Sequence, residues 1–171
     1  MIKKSQKKEV PARLFMILAR DAPTAVIFRR GPTDWVQLIK WNTQTDSFES
    51  GQWFHGRIYE HRADLSPDGS LLIYFAMKNS SRALQDRETK KFTYFWTAIS
   101  KPPYFTALAL WPKYGSWDGG GLFNSNNSIL LNHEKEVAEP HPNHRPERLE
   151  VVLKDHCDIF SERLERDGFG F

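Results

Sequence analysis

The sequence has little cysteine and no long apolar segment, and both absences restrict what the protein can be. One cysteine, Cys157, among 171 residues excludes an internal disulfide framework and a four-thiolate zinc site. The first apolar run, Leu14 to Ala19, is far shorter than the ~20 residues that span a bilayer and too short for the core of a signal peptide. We therefore expect a protein without a membrane partner, in a reducing cytoplasm.

The motifs of several common enzyme classes are also absent. The chain contains no Gly-x-Ser-x-Gly elbow, no His-Glu-x-x-His and no Gly-x-Gly-x-x-Gly segment. The run Gly119-Gly120-Gly121 is followed by Leu122, whereas a phosphate-binding P-loop continues with Gly-Lys-Ser/Thr. We interpret this run as a flexible loop between strands. The sequence thus assigns no catalytic residue and implies no cofactor.

Charge is abundant but unevenly distributed along the chain. The formal net charge is +3, and residues 1–91 hold 16 basic against 10 acidic side chains, while residues 92–171 hold 8 against 11. Residues 1–10 carry no apolar pattern, so we expect them to form a mobile basic arm. Such an arm serves as a solubilising terminus or attracts phosphates. Its lysines are Lys3, Lys4, Lys7 and Lys8.

The remaining residues, 11–171, have the pattern of a single β-rich domain. Short runs rich in aromatic and β-branched residues alternate with Gly, Pro, Asn and Asp, which is typical of strands and turns. We predict a mainly β fold of about nine or ten short antiparallel strands, arranged as a sandwich, an open barrel or a propeller-like half. The predicted strands are Arg13–Ala19, Ala25–Arg29, Trp35–Trp41, Trp53–His61, Leu71–Lys78, Phe92–Ile99, Thr106–Trp111, Ser128–Asn132 and Arg148–Lys154.

One α-helix is predicted near the C-terminal end, over residues 155–167. Asp155 is the predicted N-cap, and Gly168 follows as the stop signal. A second, shorter helix around Ser80–Glu88 has a weaker pattern. The apolar stripe of the C-terminal helix, which we expect to pack on a sheet, consists of Cys157, Phe160 and Leu164.

The segment Asp64–Tyr74, in which Ser66-Pro67-Asp68-Gly69 leads into an apolar strand, resembles the start of a blade in WD-repeat-like β-propellers. A similar strand–break–strand rhythm follows at Trp96–Trp111. Closed propellers have 4–8 four-stranded blades, and the predicted strands supply about two. The resemblance therefore implies an interaction platform, either as a small fold with blade-like hairpins or as one that completes its sheet by association. It carries over no catalytic residue.

The predicted strand Trp53–His61 bears the most distinctive side chains of the sequence. Alternation along a strand places its rings, imidazoles and guanidinium on one face, with Phe54, Gly56 and Ile58 directed to the core. Such a face can stack a base, hold a phosphate or bind an anionic peptide, or it is an ordinary solvent-facing surface. Its members are Trp53, His55, Arg57, Tyr59 and His61.

Two further sets of residues are candidates, one for a partner-binding loop and one for a metal site. Trp111, Tyr114 and Trp117 lie three apart among turn-forming residues, as anchors for a partner or as a lid over the core. The remaining histidines match no recognised ligand spacing with the cysteine, so we expect no metal ion and a packing role for the thiol. That set consists of His133, His141, His144, His156 and Cys157.

These features together predict a non-catalytic binding module with a protein partner, using the strand face and the aromatic loop. A nucleic-acid-binding protein is an alternative, in which the basic arm acts with Arg13, Arg29, Arg30 and Arg57. An enzyme is another alternative, with His55 or His61 as a general base beside a carboxylate. A subunit that self-associates through unpaired strand edges is the last.

Overall fold

A computed structural model describes residues 11–31, 34–78 and 94–169. This part of the chain contains eleven strands and one α-helix, which confirms the mainly β fold with a helix near the C-terminus. The basic arm and the weaker helix around Ser80–Glu88 lie outside the described residues. No helix of the described part is long and apolar enough to cross a membrane. The elements are β1 (Arg13–Leu18), β2 (Thr24–Arg30), β3 (Trp35–Asn42), β4 (Ser47–His55), β5 (Arg57–Leu65), β6 (Leu72–Met77), β7 (Phe95–Ser100), β8 (Ala107–Lys113), β9 (Gly121–Ser125), β10 (Ser128–Leu131), β11 (Glu150–Leu153) and α1 (Ile159–Arg166).

The strands form three sheets. The first has the order β1-β2-β3-β4 and the second β5-β6-β7-β8, so each strand pairs with the next one along the chain, and all these pairs are antiparallel. In the third sheet β10 lies between β9, which is antiparallel to it, and β11, which is parallel. A parallel return needs a connection of a dozen residues or more. Here residues 132–149 supply it, as a loop that contains a short 3₁₀ helix.

The second sheet is the middle layer of the molecule. One of its faces packs against the first sheet, with Tyr74 and Ala98 meeting Phe28 and Leu38 in one apolar cluster. Its other face packs against the third sheet, in a cluster with Ile129 and Leu131. Both faces of the second sheet are therefore covered, as is usual for a sheet that lies between two layers.

The predicted continuous strand Trp53–His61 is wrong, because the chain changes sheets within it. Gly56 has a φ of 151°, and a Cβ there would lie 2.5 Å from the carbonyl oxygen of Met77 and 2.6 Å from the ring of Phe54. Glycine alone tolerates such a close approach with that backbone conformation. β4 ends at His55 and β5 begins at Arg57. Side chains before and after Gly56 therefore do not alternate between the two faces of a single strand.

The glycine run Gly119-Gly120-Gly121 is a packed segment, which corrects the prediction of a flexible loop. A Cβ on Gly119 would lie 2.4 Å from the ring of Phe75, and one on Gly120 would lie 2.0 Å from the carbonyl oxygen of Arg62. All three glycines are buried, and Gly121 opens β9. The glycines thus allow close backbone contact between sheets.

The helix is shorter than predicted and begins later. Asp158, not Asp155, is its N-cap, and its carboxylate accepts hydrogen bonds from the backbone N–H groups of Phe160 and Ser161. Cys157 precedes the helix, and the buried helical residues are Ile159 and Arg163. Of the predicted apolar stripe, Cys157 therefore lies outside the helix, while Phe160 and Leu164 are only partly buried. An ion pair joins the helix to β5.

That ion pair involves a buried carboxylate. Arg166 donates from both terminal nitrogens to Asp64, at 2.6 Å and 3.2 Å, which is the fork geometry that arginine offers to carboxylates. Asp64 is fully buried and also accepts from the backbone N–H of Phe123. These contacts fasten α1 across the junction of the second and third sheets.

The turn at Ser66-Pro67-Asp68-Gly69 forms as the sequence predicts. Asp68 Oδ1 accepts hydrogen bonds from the backbone and side chain of Ser70 and from Ser66, and Gly69 has a φ of 73°. Each of the first two sheets has four strands, as a propeller blade does, but no WD-repeat motif is seen in the described residues. The resemblance to WD-repeat-like propellers stays a prediction.

Candidate functional site

The first sheet exposes an apolar face on the side away from the second sheet, which we call the outer face. In β1 the residues Phe15 and Ile17 point into the core, whereas Leu14, Met16 and Leu18 are more than half exposed. The strand register continues this outer row across the sheet, because paired residues share a face. Its further members are Ala25, Ile27 and Arg29 on β2, Trp35, Gln37, Ile39 and Trp41 on β3, and Phe48, Ser50, Trp53 and His55 on β4.

The outer face has an aliphatic half at β1 and an aromatic half at β3 and β4. Trp35 stacks on His55 with ring centroids 4.6 Å apart, and Trp41 stacks on Phe48 at 5.7 Å. The guanidinium of Arg29 lies 5.5 Å from the ring of Trp53, within the range of a cation–π contact. These rings pack on one another while Trp35, Phe48 and Trp53 keep 44–58% of their surface exposed. The face is thus pre-organised and open.

The structure divides the five predicted strand-face residues between two sheets. Trp53 and His55 belong to the outer face, as the sequence analysis grouped them. Arg57 and Tyr59 lie on β5, where the guanidinium stacks 4.6 Å from the phenol ring. His61 contacts the rings of Phe15 at 4.9 Å and Phe160 at 4.5 Å. The five side chains therefore do not form one continuous surface.

The predicted aromatic loop is also divided. Trp111 lies in β8 and is fully buried between the second and third sheets, so it is neither an anchor nor part of a loop. Tyr114 and Trp117 follow the strand and are exposed, Trp117 to 83%. Two of the three rings remain available for contact with a partner.

His55 and His61 lack the setting that a general base requires. Among the described residues neither imidazole hydrogen-bonds to a carboxylate, and both make ring contacts instead. A cleft of about 660 Å³ lies elsewhere, beside the loop 142–149, and its polar lining includes Asn127, Arg145 and Arg148. Neither His55 nor His61 is therefore positioned by a hydrogen bond to a carboxylate among the described residues, although the charge of Asp158 interacts with His61.

The remaining histidines occupy three different environments. His133 is buried, with Nε2 2.8 Å from Thr97 Oγ1, which also accepts from the backbone N–H of Gly120. Burial, and next the charge of Lys113, lower the pKa of His133 to about 3. His141 and His144 lie together on the loop after the 3₁₀ helix, with ring centroids 5.4 Å apart. They are therefore not part of one cluster with His133.

His156 and Cys157 form the third environment, directly before α1. Nδ1 of His156 lies 3.4 Å from Oδ2 of Asp118, a residue that the sequence analysis did not select. Burial, followed by a hydrogen bond with Glu162, raises the pKa of Cys157 to about 12, so this thiol is a poor nucleophile and a poor metal ligand at neutral pH. The packing role expected for Cys157 agrees with its half-buried position.

Comparisons of the chain with protein-family models, with curated proteins and with solved structures gave no match.

Proposed function

We propose that the protein is a non-catalytic binding module that contacts another protein through the outer face of its first sheet. The observation that carries this proposal is the exposure of six large apolar side chains on that single face. Contiguous apolar patches on soluble proteins commonly mark interaction sites. The six residues are Leu14, Met16, Leu18, Trp35, Phe48 and Trp53.

The composition of the face favours a protein partner. Interface cores are enriched in aromatic residues, methionine and arginine, and depleted in lysine and acidic residues. The outer face follows this pattern, with three tryptophans, Phe48, Met16 and Arg29 and no acidic residue among its members. Trp and Arg are also the residues that most often dominate binding energy. The partner would present a complementary apolar surface.

The nucleic-acid alternative receives less support. Arg29 and Arg57 lie over the rings of Trp53 and Tyr59, and Arg30 forms an ion pair with Glu60 at 3.3 Å. These guanidinium groups are partly occupied within the protein, whereas phosphate binding depends on several free cations acting together. The lysines of the basic arm lie outside the described residues.

Site-specific photo-cross-linking in the native cells tests the proposal. The photoreactive amino acid p-benzoylphenylalanine replaces Trp35 or Met16 on the outer face, and in a matched protein it replaces Trp117, which is exposed on the loop after β8. We expect one discrete protein adduct from positions 35 and 16 and none from position 117. An adduct of twice the chain mass would identify a second copy as the partner.

Three results would contradict the proposal. The outer-face positions could give no adduct, the adduct could form from position 117 alone, or the adduct could be removed by nuclease. The first two would exclude the outer face as the contact surface, and the third would show that the partner is a nucleic acid.

A further inference from the structure

A cluster of polar side chains lies next to the third sheet, where three segments meet. This cluster is far from the outer face. Asp118 lies in the loop before β9, Glu134 follows β10, and His156 precedes α1. Each offers one ligand atom, and these atoms lie within 4.8 Å of one another. The three residues are separated by 16 and 22 positions in sequence, so only the fold brings them together.

The carboxylate of Asp118 is the unusual member of this cluster. The residue is only 9% exposed, and its Oδ1 accepts a hydrogen bond from the backbone N–H of His156 at 3.2 Å. Its Oδ2 is buried and has no hydrogen-bond donor among the described residues. This oxygen is directed at the cluster, since it is the atom 3.4 Å from His156 Nδ1. A buried carboxylate oxygen that accepts no hydrogen bond is costly, and a cation beside it would lower that cost.

The backbone around the cluster is held in place by a single asparagine. Asn132 donates from its side chain to the carbonyl oxygen of Cys157 at 3.0 Å and accepts from the backbone N–H of Cys157 at 3.2 Å. Its own carbonyl oxygen accepts from Gly119, and its N–H donates to Gly120. Asn132 therefore ties the segment that carries His156 to the segment that carries Asp118.

Two of the three residues adopt a left-handed backbone conformation. Asp118 has a φ of 57° and His156 a φ of 50°, in the region where aspartate, asparagine and histidine are the most frequent residues after glycine. Both residue types thus suit these backbone positions, at which the carboxylate and the imidazole lie 3.4 Å apart.

From this geometry we propose that Asp118, Glu134 and His156 bind a divalent transition-metal ion of the zinc type. One imidazole and two carboxylates suit zinc, whereas calcium takes six or more oxygen ligands. Three protein ligands would leave a coordination position for water or for a group of a partner. The spacing of the histidines and the cysteine in the sequence predicts no metal site, and this site differs because it depends on two carboxylates.

The cluster needs only a small adjustment to hold the ion. Ligand atoms about 2.1 Å from a tetrahedral zinc ion lie about 3.4 Å apart, which is the distance already found between Asp118 Oδ2 and His156 Nδ1. Separations of up to 4.8 Å must therefore shorten by at most about 1.4 Å. Glu134 is half-buried, and the side chain of His156 is 74% exposed. Both can move, and the exposed imidazole leaves the ion a path from solvent to the buried carboxylate.

Isothermal titration of the full chain with zinc chloride, after removal of bound metal with a chelator, tests the site. We expect one ion per chain, with calcium chloride giving no comparable heat. Asp118→Asn, Glu134→Gln and His156→Asn should each weaken zinc binding at least 10-fold. These substitutions preserve the shape of the acids, and asparagine tolerates a positive φ. Thermal unfolding of each apo variant verifies that it is folded. If Asp118→Asn and His156→Asn do not fold, the Glu134→Gln variant alone decides the test.

The matched control removes the other pair of neighbouring imidazoles, in the double variant His141→Asn with His144→Asn. This variant should bind zinc as tightly as the unmodified chain. The proposal is overturned if the unmodified chain binds no zinc, if the folded site variants bind it unchanged, or if the double variant loses the binding. In the last case the ion would belong to the partly buried pair His141 and His144 on the loop.

Discussion

The first and second sheets have the same architecture but opposite surroundings. Each is a four-stranded antiparallel meander with apolar side chains on both faces. The second sheet has both faces covered, one by the first sheet and one by the third. The first sheet has one covered face, and on its outer face Leu14 and Trp35 remain exposed. An apolar row on a strand therefore does not by itself show that the row is buried.

The difference between the sheets separates stability from association. Side chains between two layers contribute to the free energy of unfolding because folding removes them from water. Side chains on the outer face remain in water after folding, so they contribute little to the free energy of unfolding and remain available for the proposed binding. A substitution in the second sheet should therefore lower the free energy of unfolding. The same type of substitution on the outer face should change that free energy little and should weaken the proposed binding.

The largest expected contrast is between two leucines. Leu72→Ala removes a fully buried side chain from the cluster between the first two sheets and should lower the free energy of unfolding by about 2–5 kcal/mol. Leu14→Ala removes an exposed side chain from β1 and should change it by about 0.5 kcal/mol or less. Denaturant unfolding of the two variants measures both values. Equal losses would show that the outer face is covered within the folded chain.

The second contrast concerns histidines and pH. The pKa of buried His133 is about 3, below its ordinary value of 6.5, so the unfolded chain takes up a proton between these values and the folded chain does not. The contribution of neutral His133 to the free energy of unfolding is complete above pH 6.5 and decreases as the pH falls toward 3. From this group alone the chain should lose up to about 4 kcal/mol across that range, since one pKa unit corresponds to about 1.4 kcal/mol.

Two variants check the assignment of this pH dependence. His133→Gln keeps a polar partner for Thr97 and should flatten the decrease in stability between pH 6.5 and 3. The variant His55→Gln, on the outer face, should show the same decrease in stability between pH 6.5 and 3 as the unmodified chain. The free energy of unfolding is measured in the presence of a chelator, so that metal binding next to residue 133 does not contribute. A steep decrease that persists in His133→Gln would assign the acid sensitivity to other groups.

The sequence predicts the strands well because their signals are local. Alternating aromatic and β-branched residues, bounded by turns such as Ser66–Gly69, indicate where most of the strands lie. The signal for the outer face was also present, since β1 is apolar at every position from Leu14 to Leu18. A strand with apolar residues on both faces needs cover on both sides, and the sequence contains no signal for what covers the second.

The features that the sequence did not predict depend on contacts between distant segments. Gly56 breaks a regular alternation because of the carbonyl group of Met77, and Gly119 is required by the ring of Phe75. Asp118 carries no motif, and its importance follows only from its distance to His156. Such positions are selected by tertiary packing, which periodicity along the chain does not report.

The last contrast compares the exposed apolar surface of the outer face with exposed apolar residues elsewhere, and its expected effect on stability is small. Replacing Leu14, Leu18 and Phe48 with glutamine removes apolar surface from both halves of that face. Because each side chain is exposed, the triple variant should lose about 1 kcal/mol or less of unfolding free energy. It should nevertheless bind much less of the dye bis-ANS, which reports exposed apolar surface.

Three exposed residues from other parts of the molecule, Leu108, Tyr114 and Trp117, provide the matched triple variant. Their replacement with glutamine removes a similar amount of apolar surface without removing a continuous patch, so dye binding should decrease less. If the two triple variants behave alike, the outer face is not a distinct surface, and the contrast between the two sheets has no consequence for binding.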